Sequence, residues 1–238
     1  MSTLKLSIII PCLNEAKNIV ATLSRLQSLR ARGHEVILSD GGSRDKTVEL
    51  ARALVDHCID SATGRAAQMN AGAITASGDI LCFLHADTLA PENIDKIILN
   101  ALSSSTKIKT PQWGFFCIQL SGAAWPFRII ERLINIRSCT THIATGDQGV
   151  FIQKALFNQL SGFADIPLME DIELTKRLKK IAQPVCIKHN RLITSSRRWE
   201  KHGIIRTVIL MWKLRLAYFL GTNESMLSKA YVTHEKKH

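Results

Sequence analysis

The sequence predicts an α/β protein with a mostly parallel central sheet flanked by helices and a basic helical tail. Three observations carry this. Short apolar runs alternate with helical patterns through the first hundred residues. The run Leu81-Cys82-Phe83-Leu84 stops abruptly at His85-Ala86-Asp87-Thr88. Positive charge gathers toward the end of the chain. The alternation marks βαβ units and so a parallel sheet, and the carboxyl ends of such strands are where open sheets keep their chemistry.

Each element follows in order. Residues 6–10 form a first strand ending at Pro11, with a helix over 15–29 behind it. Residues 35–38 make a second strand, and another helix follows Asp45. A helical stretch over 66–74 leads to a strand at 80–84, and Pro91-Glu92 opens the next helix. From Trp113 the rhythm is less regular. A strand at 115–120 precedes an amphipathic helix at 125–136, a glycine-rich return at 146–149, and a helix over 172–181. The last helix, 204–220, is apolar but carries Arg206, Lys213 and Arg215, too many cations to cross a bilayer cheaply. It is expected either to pack on the domain or to lie in a membrane interface. The chain divides into a main domain, 1–200, and a basic extension, 201–238.

Composition narrows the function. With 238 residues, 46% of them hydrophobic, the chain can bury one sizeable core. The formal charge is +11, and from Arg191 onward ten Lys and Arg stand against three Glu. Such a tail attracts polyanions, so one reading is a non-catalytic basic module for nucleic acid or an anionic membrane surface. Base stacking needs exposed aromatics among the cations. Only Trp199 and Trp212 are obvious there, so nucleic acid is not expected. The six cysteines include no Cys-x-x-Cys pair, and several sit in apolar runs as small hydrophobes, which suits a reducing compartment. Residues 6–10 are too short for a secretory signal, so a cytoplasmic protein is expected, with peripheral contact at the inner face of the membrane if the last helix lies in the interface.

Six segments carry candidate chemistry. Pro11 through Asn14-Glu15 brings backbone amides and a carboxylate to the end of the first strand, or serves only as a helix cap. Asp40-Gly41-Gly42-Ser43 closes the second strand in a tight turn, with Asp40 placed to accept a hydrogen bond from the N–H of a base. Asp45 reads as a cap. Arg65, at a helix start with Asn70 five residues on, suits a phosphate, or the pair is merely exposed on the helix surface. Asp87 is the sharpest residue: a hard carboxylate at a strand end suits Mg²⁺ or Mn²⁺ bridging a diphosphate, with His85 and Ala86 beside it. Glu170-Asp171 opens a helix at its positive end, so Asp171 is the candidate general base, with Glu170 beside it and Asp147 as competing base or acceptor ligand. Arg197-Arg198-Trp199 offers a diphosphate clamp, a stacking surface, or merely a basic turn.

The order of these motifs resembles family 2 glycosyltransferases of the GT-A fold over roughly residues 4–199. The resemblance implies that Pro11, Glu15, Asp40, Arg65 and Asp87 line the site of a UDP-sugar or related donor, and that Asp171 is the base of an inverting transfer to a small-molecule or lipid-linked acceptor. His85 stands where many relatives carry an Asp. Arg198-Trp199 looks like the end of the Gln-x-x-Arg-Trp motif of processive members, but Ser195 replaces the Gln. More narrowly, residues 84–88, 146–149 and 167–171 are similar to the arsenosugar biosynthesis glycosyltransferase subgroup. A sugar-phosphate nucleotidyltransferase is disfavoured, because no glycine-rich loop follows Pro11.

Overall fold

The computed structural model describes residues 4–103, 111–222 and 226–227. Eight strands form one sheet: β1 (Leu6–Cys12), β2 (Glu35–Asp40), β3 (His57–Asp60), β4 (Ile80–Phe83), β5 (Thr88–Leu89), β6 (Trp113–Leu120), β7 (Phe151–Gln153) and β8 (Val185–Thr194). The helices are α1 (Ile19–Ser24), α2 (Gln27–Ala31), α3 (Thr47–Ala51), α4 (Arg65–Thr75), α5 (Ile94–Ser103), α6 (Trp125–Thr141), α7 (Lys154–Gln159), α8 (Glu170–Ile181), α9 (Arg197–His202) and α10 (Ile204–Phe219).

The strand order is β3-β2-β1-β4-β7-β6-β8-β5. β1 to β4 pair in parallel, β7 runs antiparallel between β4 and β6, β6 and β8 are parallel, and β5 is an antiparallel edge. All seven residues of β1 are buried, as a strand covered on both faces requires. Its side chains alternate between two cores. Leu6, Ile8 and Ile10 face one side with α1 and α5, whereas Ile9 faces the other with Phe83, Trp113 and Leu174. α4 lies close on that second side: a Cβ on Gly72 would sit 2.4 Å from Ile9 Cγ2. Because β1, β2 and β4 run parallel, Cys12, Asp40 and Phe83 all end at one edge.

Several expectations change. The helix read over 15–29 is two short helices. Asn14 adopts φ 55°, and the Glu15 carbonyl accepts the N–H groups of Asn18 and Ile19, so residues 14–18 are spent on a turn before α1 begins. β3 was invisible because its ends are exposed and polar, and β5 and β7 are only two and three residues long. β8 hid behind its exposed middle, Lys188 to Arg191. The cysteines, read as scattered, are not: Cys139 of α6 and Cys186 of β8 form a disulfide, and Cys117 of β6 lies against both sulfurs.

For the last helix, both alternatives have a face to act through. Leu214 packs with Met169 and Ile172, supported by Leu210, Ala217 and Tyr218. Ile205, Ile209, Trp212, Leu216, Phe219 and Leu220 form an exposed stripe on the opposite side. At about 100° per residue, Arg206 and Lys213 flank one edge of that stripe and Arg215 the other. Among the described residues, no helix is long and apolar enough to cross a membrane. The tail residues Glu224, Lys229, Glu235, Lys236 and Lys237 lie outside the described residues.

Candidate active site

The turns after β1, β2 and β4 converge at the carboxyl edge of the sheet, and backbone and small polar groups lace the first two together. Gly41 N–H donates to the Cys12 carbonyl at 3.0 Å, Asn14 N–H to Ser43 Oγ at 2.8 Å, Arg44 N–H to Asn14 Oδ1 at 2.8 Å, and Glu15 N–H to Thr47 Oγ1 at 2.8 Å. From α4, the buried Gln68 amide donates to the carbonyls of Cys12 and Ser39, bracing both strand ends.

This lacing engages several of the residues expected at the site. Asp40 is 3% exposed and accepts from the N–H groups of Gly42 and Ser43, from Ser43 Oγ and from the Cys12 thiol. Those bonds hold its pKa down against burial, and they fix the carboxylate within the turn. Ser43 and Gly41 likewise serve the turn. Asp45 accepts from Thr47 and Ala16, the structural role expected of it. Asn70 exchanges two hydrogen bonds with the backbone of Phe163, each 2.9 Å, so its amide tethers α4 to the 161–163 turn instead of facing a donor. The Ala86 carbonyl accepts from Thr22, Pro11 is buried within β1, and Trp199 packs with Phe127 and Ile204 in an apolar cluster rather than standing free to stack.

The charged and polar groups that remain within reach of one another are Glu15, Arg65, His85, Asp87, Asp171 and Arg197. Arg65 acts electrostatically on His85, on Asp87 and on Asp171 alike, so groups from the end of β4 and the start of α8 lie within reach of one cation. Arg197 Nη2 lies 3.3 Å from Glu15 Oε1 and 3.6 Å from Asp87 Oδ2. It is therefore Arg197 that spans the carboxylates, while Arg198 bears on His85.

Electrostatics divides these groups by task. Burial, and then the charge of Glu15, push the Asp87 carboxyl above its usual range, with Arg197 and Arg65 pulling the other way. This carboxylate pair gains from an added cation. His85 is pushed down to about 3, first by burial and then by Arg65 and Arg198, so its ring is neutral and its lone pair available. A carboxylate short of positive charge beside a neutral imidazole is a donor set that fits a hard divalent cation.

Asp171 is held differently. Gly146 N–H donates to its Oδ2 at 2.6 Å and Ile172 N–H to its Oδ1 at 2.6 Å, yet burial and Glu170 still raise its pKa to about 7. A carboxylate poised there works as a base at neutral pH. Glu170 is 4% exposed and Asp147 sits in the turn opposite. The sequence reading missed Arg137, a part-buried cation of α6 that feels both Asp147 and Asp171, with its Nη2 2.7 Å from Ser138 Oγ. Arginine midway along an amphipathic helix gave no signal of that.

Gly146 is where the two halves meet. A Cβ there would stand 2.5 Å from His85 Nε2 and 3.6 Å from Asp171 Oδ2. Gly146→Ala is expected to displace His85 and cut kcat/KM by about 10²-fold, as a misplacement near 1 Å does, with little change in melting temperature. Steady-state kinetics beside a thermal melt checks this, and unchanged kinetics would separate His85 from the site.

The family model for glycosyl transferase family 2 matches residues 7–157. The chain belongs to glycosyl transferase family 2. This sets aside the non-catalytic module. Among relatives of this family 2 glycosyltransferase, the PGL/p-HBAD biosynthesis glycosyltransferase of Mycobacterium bovis is 26% identical over 259 residues, covering 88% of this chain and 97% of the relative. Two solved structures share its fold. Glucosyl-3-phosphoglycerate synthase from Mycobacterium tuberculosis, crystallised with Mn²⁺, UDP and glucosyl-3-phosphoglycerate, superposes with a TM-score of 0.62 at 17% identity over 87% of this chain and 78% of that one. S. aureus TarS with UDP gives 0.64 at 18%, over 80% of this chain and 60% of the TarS chain.

Proposed function

We propose that this family 2 enzyme transfers a sugar with inversion from a UDP-sugar to a hydroxyl of an acceptor carrying a hydrocarbon portion, at an anionic membrane surface. The observation that carries the transfer is proximity: a Cβ on Gly146 would stand 2.5 Å from His85 Nε2 and 3.6 Å from Asp171 Oδ2, and the Arg65 charge acts on both Asp87 and Asp171. Asp87, with His85 beside it, would hold Mn²⁺ or Mg²⁺, which supplies charge to stabilise the departing diphosphate. The Mn²⁺ and UDP of glucosyl-3-phosphoglycerate synthase support that choice.

The chain's own groups do the rest. Arg65 and Arg197 orient the diphosphate, and Arg197 exchanges its carboxylate partners for phosphate as the donor enters. Asp171, ionised, takes the proton from the acceptor hydroxyl as that oxygen attacks the anomeric carbon opposite the leaving group, and the Gly146 and Ile172 amides hold the base in place. Incubating the protein with UDP-, GDP- and dTDP-sugars and Mn²⁺ tests this. UDP-sugar binding is expected, and the absence of binding to any donor would overturn the reading.

The membrane part rests on two helix faces. On α6, Trp125, Ile129, Leu133 and Ile136 are exposed at i, i+4, i+8 and i+11, matching the stripe on α10, and Trp125 and Trp212 are 73% and 75% exposed. Apolar stripes edged by cations suit an anionic interface. Between the start of α6 and α9–α10 lies an open groove of about 780 Å³, lined by Ala123, Phe127, Trp199, His202 and Ile204 among others. Its lining includes Ile205 of the α10 stripe and Trp199, the residue after Arg198, and it offers a path for an acyl or prenyl chain. Trp212→Glu with Leu216→Glu is expected to abolish co-sedimentation with phosphatidylglycerol vesicles while sparing UDP binding. Undiminished sedimentation would remove α10 from the interface.

A further inference from the structure

Away from the crevice, three sulfurs converge where α6 lies over the β6–β8 pair. Cys117 is 4% exposed, and its position coincides with a register irregularity between Phe116 and Ile118, the kind of break that re-aims a side chain. Its Sγ lies 3.8 Å from the Sγ of Cys139 and 3.8 Å from that of Cys186. All three ligand atoms fall within 4.8 Å of one another.

The equal distances decide what the third sulfur is for. Thiol–disulfide exchange needs the attacking sulfur in line with the bond it breaks. Cys117 lies off that line, equidistant from both partners, so it is poorly placed to displace either sulfur. A triangle is instead what a metal ion collects. A tetrahedral ion with bonds of about 2.3 Å to thiolates spaces them about 3.8 Å apart, and two edges of this triangle already have that length. The third edge opens when the disulfide is reduced, with the Cα atoms of Cys139 and Cys186 only 5.7 Å apart to keep both within reach.

We propose that in the reduced protein Cys117, Cys139 and Cys186 form a thiolate site for one thiophilic divalent cation of the zinc class. On binding, three S–H bonds break, three metal–sulfur bonds form and three protons leave, so the centre carries one net negative charge. Lys188 and Arg191 act on Cys117 with the opposite sign and offset it. Oxidation of Cys139 and Cys186 to the disulfide, by a disulfide or peroxide oxidant, consumes two of the ligands. Metal-loaded and disulfide forms are thus mutually exclusive.

The site also has a route to the active centre. Next to Cys139, Ser138 Oγ donates to Gln148 Oε1 at 2.7 Å, and Gln148 caps the turn containing Gly146 and Asp147. Either state of the cysteines pins the end of α6 beneath the Asp171 side of the crevice.

The test uses Cd²⁺ as probe and the full chain, reduced with a phosphine and freed of it anaerobically. Titration is expected to raise a sulfur-to-cadmium ultraviolet band that saturates at one equivalent. The same titration of disulfide-oxidised protein is expected to raise no such band, although Cys12, Cys58 and Cys82 remain free in it, so the comparison needs no variant. Cys117→Ser is expected to lose the band while still forming the Cys139–Cys186 disulfide on oxidation, which shows that its local fold survives. No band from reduced protein, an equal band from oxidised protein, or an undiminished band in Cys117→Ser would each overturn the proposal.

Discussion

Asp171→Asn is expected to lower kcat for sugar transfer by about 10³-fold while leaving UDP binding intact and making the protein more stable at pH 8. The rate loss follows from the role: the amide keeps the shape and loses the lone pair that accepts the acceptor's proton. The stability gain follows from the sign of the shift. The unfolded chain releases this proton near the usual carboxylate value, whereas the fold retains it up to about 7. Between those values stability falls as pH rises, and above 7 the fold carries the full cost of an ionised, half-buried carboxylate beside Glu170. The asparagine never ionises. The gap in unfolding free energy between variant and wild type should therefore open from pH 5 to pH 8, reaching about 1–3 kcal/mol after allowance for the side chain's partial exposure. Wild-type kcat/KM should rise with pH and level off above about 7. Thermal melts and a pH–rate profile read both. A variant less stable than wild type at pH 8, or a flat wild-type profile, would mean Asp171 is not the base.

Asp87→Ala is expected to do the reverse on binding. It removes the carboxylate assigned to the cation, so metal-stimulated turnover should drop by about 10³-fold or more, equivalent to about 4 kcal/mol of transition-state stabilisation. Affinity for UDP in the presence of Mn²⁺ should drop with it. The fold should not suffer. Ionised Asp87 is disfavoured by burial and by Glu15, and Arg197 keeps Glu15 as a partner 3.3 Å away. The melting temperature without metal should therefore hold or rise. Calorimetric titration with Mn²⁺ and UDP separates the variants: Asp171→Asn binds and does not turn over, Asp87→Ala does neither. Equal Mn²⁺-dependent binding by Asp87→Ala would move the metal elsewhere.

How much of this was legible in the sequence depended on whether a residue's role is set locally. The parallel core could be read because β1 and β4 are continuous apolar runs, and Asp87 because a carboxylate ending a buried strand has few other uses. Glu170-Asp171 could be read as an acidic helix start. Asp40, Asn70 and Trp199 each belong to a motif that suggests a ligand, and each has protein partners the motif does not announce: Asp40 its own turn at Gly42 and Ser43, Asn70 the Phe163 backbone and Trp199 the Phe127 ring. Arg197 rather than Arg198 spans Asp87 and Glu15, a choice set by how α9 docks. The cysteines show the same limit, since 117, 139 and 186 are brought together only by α6 crossing β6 and β8.

The most direct measurement is a crystal structure with UDP and Mn²⁺ bound. The account predicts the ion on Asp87 at the diphosphate, with Arg197 turned from Glu15 to phosphate. It also predicts the Asp171 carboxylate facing the β-phosphate across a gap that one hexose and an acceptor hydroxyl fill. An ion bound away from Asp87, or an Asp171 carboxylate that does not face that gap, would contradict it.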